Sequence, residues 1–477
     1  MTNANLQPTF YFHDYETFGI NPAYDKPSQF AGIRTDSEFN IIDKPLVMYC
    51  RPPNDYLPDP IATLITGITP QRAIKEGICE AEFAKQIAQQ FNLPNTCILG
   101  YNNIRFDDEV TRNIFYRNFY DPYAYSWCNG NSRWDLLDVV RACYALRPEG
   151  INWPLNENEC PSFRLEHLTK ANNIEHQHAH DAMSDVYATI AIAKLIKTQQ
   201  PKLFDYLFSL RNKNQVAQLF DIVQMTPLVH VSGMLGAYRG NTSWIAPIIW
   251  HPLQSNAIVV CDLMGDVNLL LDYDITELKQ RLYTKNEDLA PEETRIPLKL
   301  IHINKCPVVA PAKTLLPENA KRLHIDRDQC LNNLNLLRNH QKLIQDKITL
   351  LFSIPDTYPE IKDVDGKLYQ GFLNSYDKSI CETIRSTMPE QLAALNPTFD
   401  DPRMKTIFFR YKARNYLEQL SQSEQVQWQL HREDKLNQHV IQDYLLKLEQ
   451  QATIHQQSPD KLKLIKDLYD YCIYLLQ

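Results

Sequence analysis

Two carboxylates interrupt an otherwise apolar and aromatic run near the start of the chain. The run from Thr9 to Tyr15 favours a β-strand, and side chains at i and i+2 of a strand project to the same face. Asp14 and Glu16 would therefore lie side by side, where they repel each other and lose hydration. A cation between them would relieve both costs, and hard oxygen ligands suit Mg²⁺ or Mn²⁺. The alternative is a strand end that carries two solvated acids.

Further carboxylates and a histidine lie at the ends of other predicted elements. Asp107 and Asp108 follow an apolar strand and begin a predicted helix, where either could instead act as a helix N-cap. Later in the chain, His180 lies just before a predicted helix and Asp185 lies one turn inside it. Asp181 is positioned to cap that helix.

A histidine-rich segment raises a second metal hypothesis. His176, His178 and His180 have i, i+2, i+4 spacing in a loop, with no cysteine close by. This arrangement is weak support for a zinc site. A solvated loop is the preferred interpretation for His176 and His178.

The order of these residues suits one kind of chemistry. An Asp-x-Glu pair, an Asp about 90 residues later and a late His-x-x-x-x-Asp supply four carboxylates and one histidine. Carboxylates can hold two divalent ions that stabilise the attacking and leaving oxygens in phosphodiester hydrolysis. A histidine that is free of the metals can take the proton from the attacking water. The pattern therefore predicts a two-metal phosphodiester hydrolase.

Length and charge limit the organisation of the chain. Its 477 residues predict two or three domains, at roughly 150 residues per domain. A net charge of −8 argues against a plainly basic nucleic-acid binder, although an average can hide a local basic patch. The sequence shows no apolar stretch that could span a membrane, no secretory signal and no CxxC pair. We therefore expect a cytoplasmic protein with reduced thiols.

Hydrophobic patterning divides the chain into three segments. Residues 1–198 mix strand and helix patterns, which predicts an α/β domain with a mixed sheet. Residues 199–352 contain short β-rich runs, which predict a small barrel or sandwich with flanking helices. Residues 358–477 are helical by pattern, and Ser458 and Pro459 mark the start of the last helix.

Individual elements can be predicted within these segments. In the first segment, strands are predicted at Thr9–Tyr15, Phe39–Ile42, Leu46–Cys50 and Thr96–Tyr101, and helices at Glu80–Phe91, Asp108–Phe119, Asp135–Leu146 and Asp181–Lys197. In the second segment, strands are predicted at Leu228–Val231, Ser243–Ile249, Ala257–Leu263 and Pro297–Ile303, and one helix over Arg327–Phe352.

The ordered motifs resemble those of a known family. Asp-x-Glu, Asn-x-x-Phe-Asp and His-x-x-x-x-Asp are similar to the motifs of DEDDh 3′→5′ exonucleases, which have a ribonuclease H-like fold. Longer segments resemble the bacterial exodeoxyribonuclease I family, among them HDYETFG, GYNNIRFDDEVTRNIFYRNFYDPYA, HDAMSDVYATIA and RGNTSW. After about residue 350 the resemblance rests mainly on FRYKARN.

The resemblance implies an architecture and an activity. The expected parts are an exonuclease domain, an SH3-like β-barrel domain and an all-α C-terminal domain. Together they are expected to close around the DNA strand. The expected activity is processive 3′→5′ degradation of single-stranded DNA to 5′-mononucleotides, in DNA repair and recombination.

The resemblance also implies roles for particular residues. Asp14, Glu16, Asp107 and Asp185 would hold two Mg²⁺ ions, for which Mn²⁺ could substitute. His180 would be the general base, and Glu16 would also contact the substrate.

Contacts to DNA are predicted less directly. Single-strand binders combine a basic groove with aromatic stacking platforms. The candidates are Arg112, Tyr123, Trp127 and Arg164, and, in the second segment, Arg239, Asn241 and Trp244. The alternatives are a helix with a buried aromatic face around residues 105–127 and a salt-bridged surface arginine at position 164.

A protein partner is implied as well. The family docks the acidic C-terminal tail of the single-stranded DNA-binding protein in a basic, partly apolar pocket. Arg147, Tyr206 and Arg338 are the predicted residues of that pocket, and the basic excess of residues 301–350 suits an acidic partner. We expect a monomer that does not contact membranes.

Two alternative functions remain open at this stage. A 3′→5′ exoribonuclease would use the same five catalytic residues, because the choice of DNA depends on how the pocket treats the 2′-hydroxyl group. A non-catalytic single-stranded DNA-binding module would be expected to lack at least one of the five.

Overall fold

A computed structural model describes residues 8–176, 181–284, 288–290, 293–355 and 360–477. The strands are β1 Thr9–Thr17, β2 Pro27–Thr35, β3 Leu46–Tyr49, β4 Thr96–Gly100, β5 Ser132–Asp135, β6 Leu228–Val231, β7 Thr242–Trp250, β8 Ala257–Asp262, β9 Leu298–His302 and β10 Val308–Pro311. Helices α1–α7 are Pro60–Thr66, Pro70–Glu76, Glu80–Phe91, Asp107–Arg117, Leu136–Leu146, Leu165–Ala171 and Ala182–Gln199. Helices α8–α14 are Pro201–Ser209, Lys213–Ala217, Leu269–Asp272, Ile275–Tyr283, Pro317–Arg322, Arg327–Asn339 and Gln341–Ser353. Helices α15–α19 are Ser375–Ser386, Pro402–Asn415, Gln422–Lys435, Gln438–Ile454 and Pro459–Leu476.

The first sheet is mixed, as predicted. Its strand order is β3-β2-β1-β4-β5, which places β1 at the centre. β1 pairs antiparallel with β2 and parallel with β4. Tyr11 and Tyr15 on one face of β1 belong to a buried core that also contains residues of α3 and α4. Because side chains alternate along a strand, Asp14 and Glu16 project from the other face.

Neither β2 nor β5 of this sheet was predicted from the sequence pattern. All nine residues of β2 are buried, so it lacks the polar alternation that marks a half-exposed strand. The strand predicted at Phe39–Ile42 is wrong. Phe39 has a φ of 62°, which is a turn conformation, and Ile41 forms only an isolated bridge to Thr35.

The second sheet is antiparallel, with the order β10-β6-β7-β8-β9. β6 to β9 lie where the sequence predicts strands, whereas β10 was not predicted. The helix predicted over Arg327–Phe352 is interrupted at His340, which ends α13 and precedes α14. Within the described part of the chain, no helix has both the length and the apolar character needed to cross a membrane.

The chain forms two compact units that do not follow its linear order. One unit comprises Met1–Arg133, His176–Ile190 and Glu360–Gln477, and the other comprises Trp134–Glu175 and Ala191–Pro359. The C-terminal helices therefore belong to the same unit as β1 to β4. Shared apolar clusters explain this, because Phe119 packs with Phe408 and Tyr411, and Leu64 packs against the cluster that contains Leu468.

A buried ion-pair network also ties the C-terminal helices to the first segment. Arg414 Nη2 lies 2.8 Å from Asp55 Oδ2 and 2.7 Å from Asp365 Oδ2. His431 Nε2 lies 3.1 Å from the same Asp55 oxygen. Burial alone would raise the pKa of Asp55, but the charge of Arg414 and the hydrogen bonds from His431 and Arg414 hold that pKa well below its usual range.

Removal of this arginine should destabilise the unit strongly. Arg414→Ala leaves Asp55 and Asp365 buried without their main cation, so we expect a loss of about 3–5 kcal/mol in the free energy of unfolding. Lys85→Ala, which removes an exposed pair with Glu82, is the control and should cost about 1 kcal/mol or less. Urea unfolding followed by circular dichroism measures both variants, and equal losses would contradict a special role for the buried network.

Candidate active site

The two carboxylates of β1 meet a third one from α7. Asp14, Glu16 and Asp185 each offer an oxygen, and these oxygens all lie within 4.8 Å of one another. Glu16 is only 8% exposed. This burial does not fit the alternative of a strand end with two solvated acids. Within the described ranges, no other cluster of acidic, histidine or cysteine side chains has this geometry.

Hydrogen bonds at the start of α7 bring Asp185 to this place. Asp181 Oδ2 accepts a hydrogen bond of 3.2 Å from the Ser184 backbone amide, so Asp181 makes the N-cap contact that was predicted for it. Gln29 on β2 donates to Asp181 Oδ1 at 3.2 Å and accepts from the Ala182 amide at 3.2 Å. The side chain of Gln29 therefore holds the first turn of α7 beside β1. The sequence analysis missed Gln29, because β2 carried no recognisable pattern.

Asp107 and Asp108 are adjacent in sequence but play different parts. Asp107 is the first residue of α4, and its Oδ1 accepts a bond of 3.1 Å from the Tyr15 backbone amide on β1. Asp108 is paired with Arg133 at 2.5 Å, and both side chains are buried. Neither residue is the N-cap of α4, a position that Phe106 occupies. Of the two, Asp107 is therefore the acid that is bonded to β1, the strand that carries Asp14 and Glu16.

Burial and neighbouring acids disfavour the charged forms of Asp14 and Glu16. Burial raises the pKa of Glu16 to about 9, and the charges of Asp185, Asp107 and Asp181 add to this. Burial also raises the pKa of Asp14 well above its usual value, with contributions from Asp107, Glu16 and Asp185. A bound divalent cation would offset this repulsion, and carboxylate oxygens are suitable ligands for Mg²⁺ and Mn²⁺. The residues present therefore fit a divalent metal site.

The histidine segment is only partly described. His178 and His180 lie outside the described residues. The side chain of His176 is only 4% exposed, and its Nε2 lies 2.6 Å from Asp185 Oδ1. The interpretation of His176 as part of a solvated loop is therefore wrong. The spacing of the histidines gave no signal of this contact, because the contact joins His176 to a side chain nine residues later on α7.

Three predicted DNA contacts lie in the same unit as the acid cluster. Arg112 is buried on α4, lies 2.7 Å from Glu109 and has its guanidinium 5.5 Å from the centre of the Tyr123 ring. Tyr123 also contacts Phe372, with ring centres 5.6 Å apart. Trp127 is 66% exposed, so its ring is available for stacking.

The other predicted DNA contacts lie in the second unit. Arg164 is exposed directly before α6. Arg239 pairs with Asp262 at 3.0 Å, and the Asn241 amide donates to the Leu235 carbonyl at 3.1 Å. Trp244 is 4% exposed in β7. The last three residues thus have intramolecular roles in the sheet, and their contact with DNA stays a prediction.

Two of the three predicted partner residues line one cavity. Arg147 and Tyr206 line a space of about 430 Å³, together with Lys202, Pro311 and Thr314. Arg147 donates to the Thr314 carbonyl at 3.0 Å. Arg338 on α13 instead donates to the Gln224 carbonyl, at 2.9 and 3.1 Å.

Comparison with protein families covers almost the entire chain. The matching families are Exonuclease over residues 11–193, Exonuclease I SH3-like domain over residues 211–354 and Exonuclease I C-terminal domain over residues 362–475. Exodeoxyribonuclease I of Escherichia coli (strain K12) is 55% identical over 471 residues, covering 99% of both chains. Exodeoxyribonuclease I of Haemophilus influenzae is 52% identical, covering 98% of this chain and 99% of the relative.

Solved structures show the same fold. E. coli exonuclease I in complex with a dA16 oligonucleotide matches with a TM-score of 0.97 at 55% identity, covering 98% of this chain and 100% of that chain. The zinc-bound form of the E. coli enzyme with single-stranded DNA has a TM-score of 0.96 at 55% identity, over 99% of this chain and 100% of that chain. A structure of SSB/exonuclease I with the inhibitor CFAM has a TM-score of 0.91 at 54% identity, over 98% of this chain and 100% of that chain.

The repulsion among the acids predicts a pH effect in the metal-free protein. Because the pKa of Glu16 is about 9 in the folded state and near 4.5 when unperturbed, its contribution to stability is present below pH 4.5 and lost as the pH rises to 9. In EDTA, the melting temperature should therefore fall as the pH rises from about 5 to about 9, which is the range between these two pKa values. Glu16→Gln should reduce this fall, and Mg²⁺ should raise the melting temperature of the wild type more than that of the variant.

The exposed Glu76→Gln substitution is the matched control, and it should retain the pH dependence of the wild type. If Glu16→Gln and Glu76→Gln gave the same profile in EDTA, the repulsion at the acid cluster would not limit stability.

Proposed function

This chain belongs to the exodeoxyribonuclease I family, and we propose that it hydrolyses single-stranded DNA from the 3′ end to 5′-mononucleotides at the acid cluster. The observation that carries this assignment is the convergence of Asp14, Glu16 and Asp185 within 4.8 Å, in a chain that matches the family over nearly its full length. The enzyme depends on a divalent metal ion.

We propose that two Mg²⁺ ions are bound, with Mn²⁺ as a possible substitute, and that Asp14, Glu16, Asp107 and Asp185 hold them. When bound, the ions supply positive charge that stabilises the attacking and leaving oxygens. The placement of Asp14 and Glu16 on β1 and the Gln29-anchored start of α7 would keep the ligand oxygens in place before substrate arrives. Glu16 is also proposed to contact the substrate.

His180 is proposed as the general base. It would take a proton from the attacking water through a ring nitrogen, which requires a histidine that does not coordinate the metal. The support is its position in His-x-x-x-x-Asp, five residues before Asp185.

We propose that cationic side chains and aromatic rings together bind the single-stranded DNA. Arg112, Tyr123 and Trp127 form the best-supported group, because a cation, a partly buried ring and an exposed ring occur in one unit with the acid cluster. Arg164, Arg239, Asn241 and Trp244 are retained as proposed contacts.

A second macromolecule is proposed as a partner. An exonuclease I that is 54% identical to this chain has been solved together with SSB and the inhibitor CFAM. By this similarity we propose that the single-stranded DNA-binding protein docks its acidic C-terminal tail at the cavity of Arg147 and Tyr206. Arg338 on α13, which does not line this cavity, is kept as a separate proposed contact. Arginine and lysine at such a cavity suit an acidic peptide.

The remaining assignments are proposals about organisation and setting. We propose three domains at residues 1–198, 199–352 and 358–477, a monomeric and processive enzyme, a cytoplasmic location, and a role in DNA repair and recombination. Membership of the exodeoxyribonuclease I family and the patterning of the sequence support these proposals.

The activity is tested by digestion of labelled oligonucleotides. With Mg²⁺, linear single-stranded DNA should yield 5′-mononucleotides, and EDTA should stop their release. Circular single-stranded DNA should stay intact because it has no 3′ end, and a matched RNA oligonucleotide should be degraded much more slowly. Efficient cutting of the circle would exclude an exonuclease, while equal rates on RNA would favour the exoribonuclease alternative.

The base is tested by His180→Ala. This variant should bind DNA normally but turn over roughly 10²–10⁴-fold more slowly, which is the usual share of a general base. His178→Ala is the neighbouring control and should keep its turnover. Wild-type turnover in His180→Ala would remove His180 from this role.

A further inference from the structure

The contact between His176 and Asp185 has no part in the function derived so far. His176 follows α6, and Asp185 lies nine residues later in the first turn of α7. The imidazole Nε2 lies 2.6 Å from Asp185 Oδ1. The His176 side chain is 4% exposed, while that of Asp185 is 19% exposed. A buried group therefore holds a carboxylate that could otherwise turn towards solvent.

The partner of this histidine is a carboxylate of the acid cluster. An ionised carboxylate only accepts hydrogen bonds, so a bond to ionised Asp185 requires a hydrogen on Nε2 of His176. Within the described residues, the group with metal-ligand geometry consists of Asp14, Glu16 and Asp185 and contains no imidazole. The arrangement is a carboxylate ligand supported by a histidine, unlike the zinc site considered from the histidine spacing.

Electrostatics explain why Asp185 needs such support. Its charge contributes to the raised pKa of both Asp14 and Glu16, so the three carboxylates repel one another before a cation binds. Rotation of Asp185 away from β1 would relieve that repulsion and dismantle the site. A carboxylate has two oxygens, so one can accept from His176 while the other faces a cation.

We propose that His176 is a positioning residue that fixes the Asp185 carboxylate for divalent-ion binding. This inference rests on the proposed metal-dependent function of the acid cluster. Hydrogen-bond partners of metal ligands orient them, and their loss typically costs about 10–100-fold in metal affinity or activity. His176 acts before catalysis, through the geometry of Asp185, whereas His180 is proposed to act on the water.

The test is a direct measurement of metal binding to the full-length chain. Isothermal titration of EDTA-stripped protein with Mn²⁺ should show about 10–100-fold weaker binding for His176→Ala than for wild type. His176→Gln keeps an N–H donor and should recover part of the affinity. His180→Ala is the matched control and should bind Mn²⁺ as the wild type does.

Nuclease assays separate the two histidines further. For His176→Ala, the Mg²⁺ concentration for half-maximal activity should rise, and saturating Mg²⁺ should restore most of kcat. For His180→Ala, kcat should stay low at every Mg²⁺ concentration.

Unchanged Mn²⁺ affinity in folded His176→Ala would overturn the proposal, and so would a loss of kcat that saturating Mg²⁺ does not restore. If His176→Ala failed to fold by circular dichroism, His176→Gln would decide. A folded His176→Gln with intermediate Mn²⁺ affinity would support the proposal. Wild-type affinity in that variant would refute a specific need for the imidazole ring. If wild type bound Mn²⁺ and His176→Ala bound it weakly, but wild type released no nucleotides, the proposed function would fail while the positioning role stood.

Discussion

Mutual repulsion among closely spaced carboxylates is the constraint on which the site depends. Asp14 and Glu16 share one face of the central strand, and α4 and α7 add Asp107 and Asp185 from separate parts of the chain. Besides burial, the groups that raise the pKa of Asp14 and Glu16 include the neighbouring acids Asp107, Asp181 and Asp185. A fold that keeps such a cluster must stabilise it elsewhere, and the apolar core under β1 and the polar clamp of Gln29 do so.

The same unit contains a second set of buried acids with the opposite solution. Asp55 and Asp365 are as deeply buried as Glu16, yet Arg414 lies between them and lowers their pKa. Their charges are therefore neutralised permanently, and they hold the C-terminal helices in place. Asp55 and Asp365 thus share a protein cation and serve the architecture, whereas Asp14, Glu16, Asp107 and Asp185 are proposed to bind an exchangeable cation.

Sequence patterns predicted the elements that have strong local signals. β1, β4, α3, α5 and α7 lie close to their predicted positions, because amphipathic periodicity or an apolar run before a capping residue is a local property. β2 was missed because a strand that is buried on both faces shows no alternation. The helix predicted over 327–352 is two helices. The break at His340 was not predicted because neither proline nor glycine marks it.

The sequence by itself determined which chemistry to expect. The order and spacing of four carboxylates and His180 indicated a two-metal phosphodiester hydrolase, and the resemblance to DEDDh exonucleases added the 3′→5′ exonuclease activity. Tertiary structure decided which neighbours serve that chemistry. Only the fold shows that Asp108 pairs with Arg133, that Gln29 anchors α7 and that His176 is buried against Asp185. The physical reason is that residue type and spacing report local geometry, whereas burial and hydrogen-bond partners depend on segments that are distant in sequence and meet only when the chain has folded.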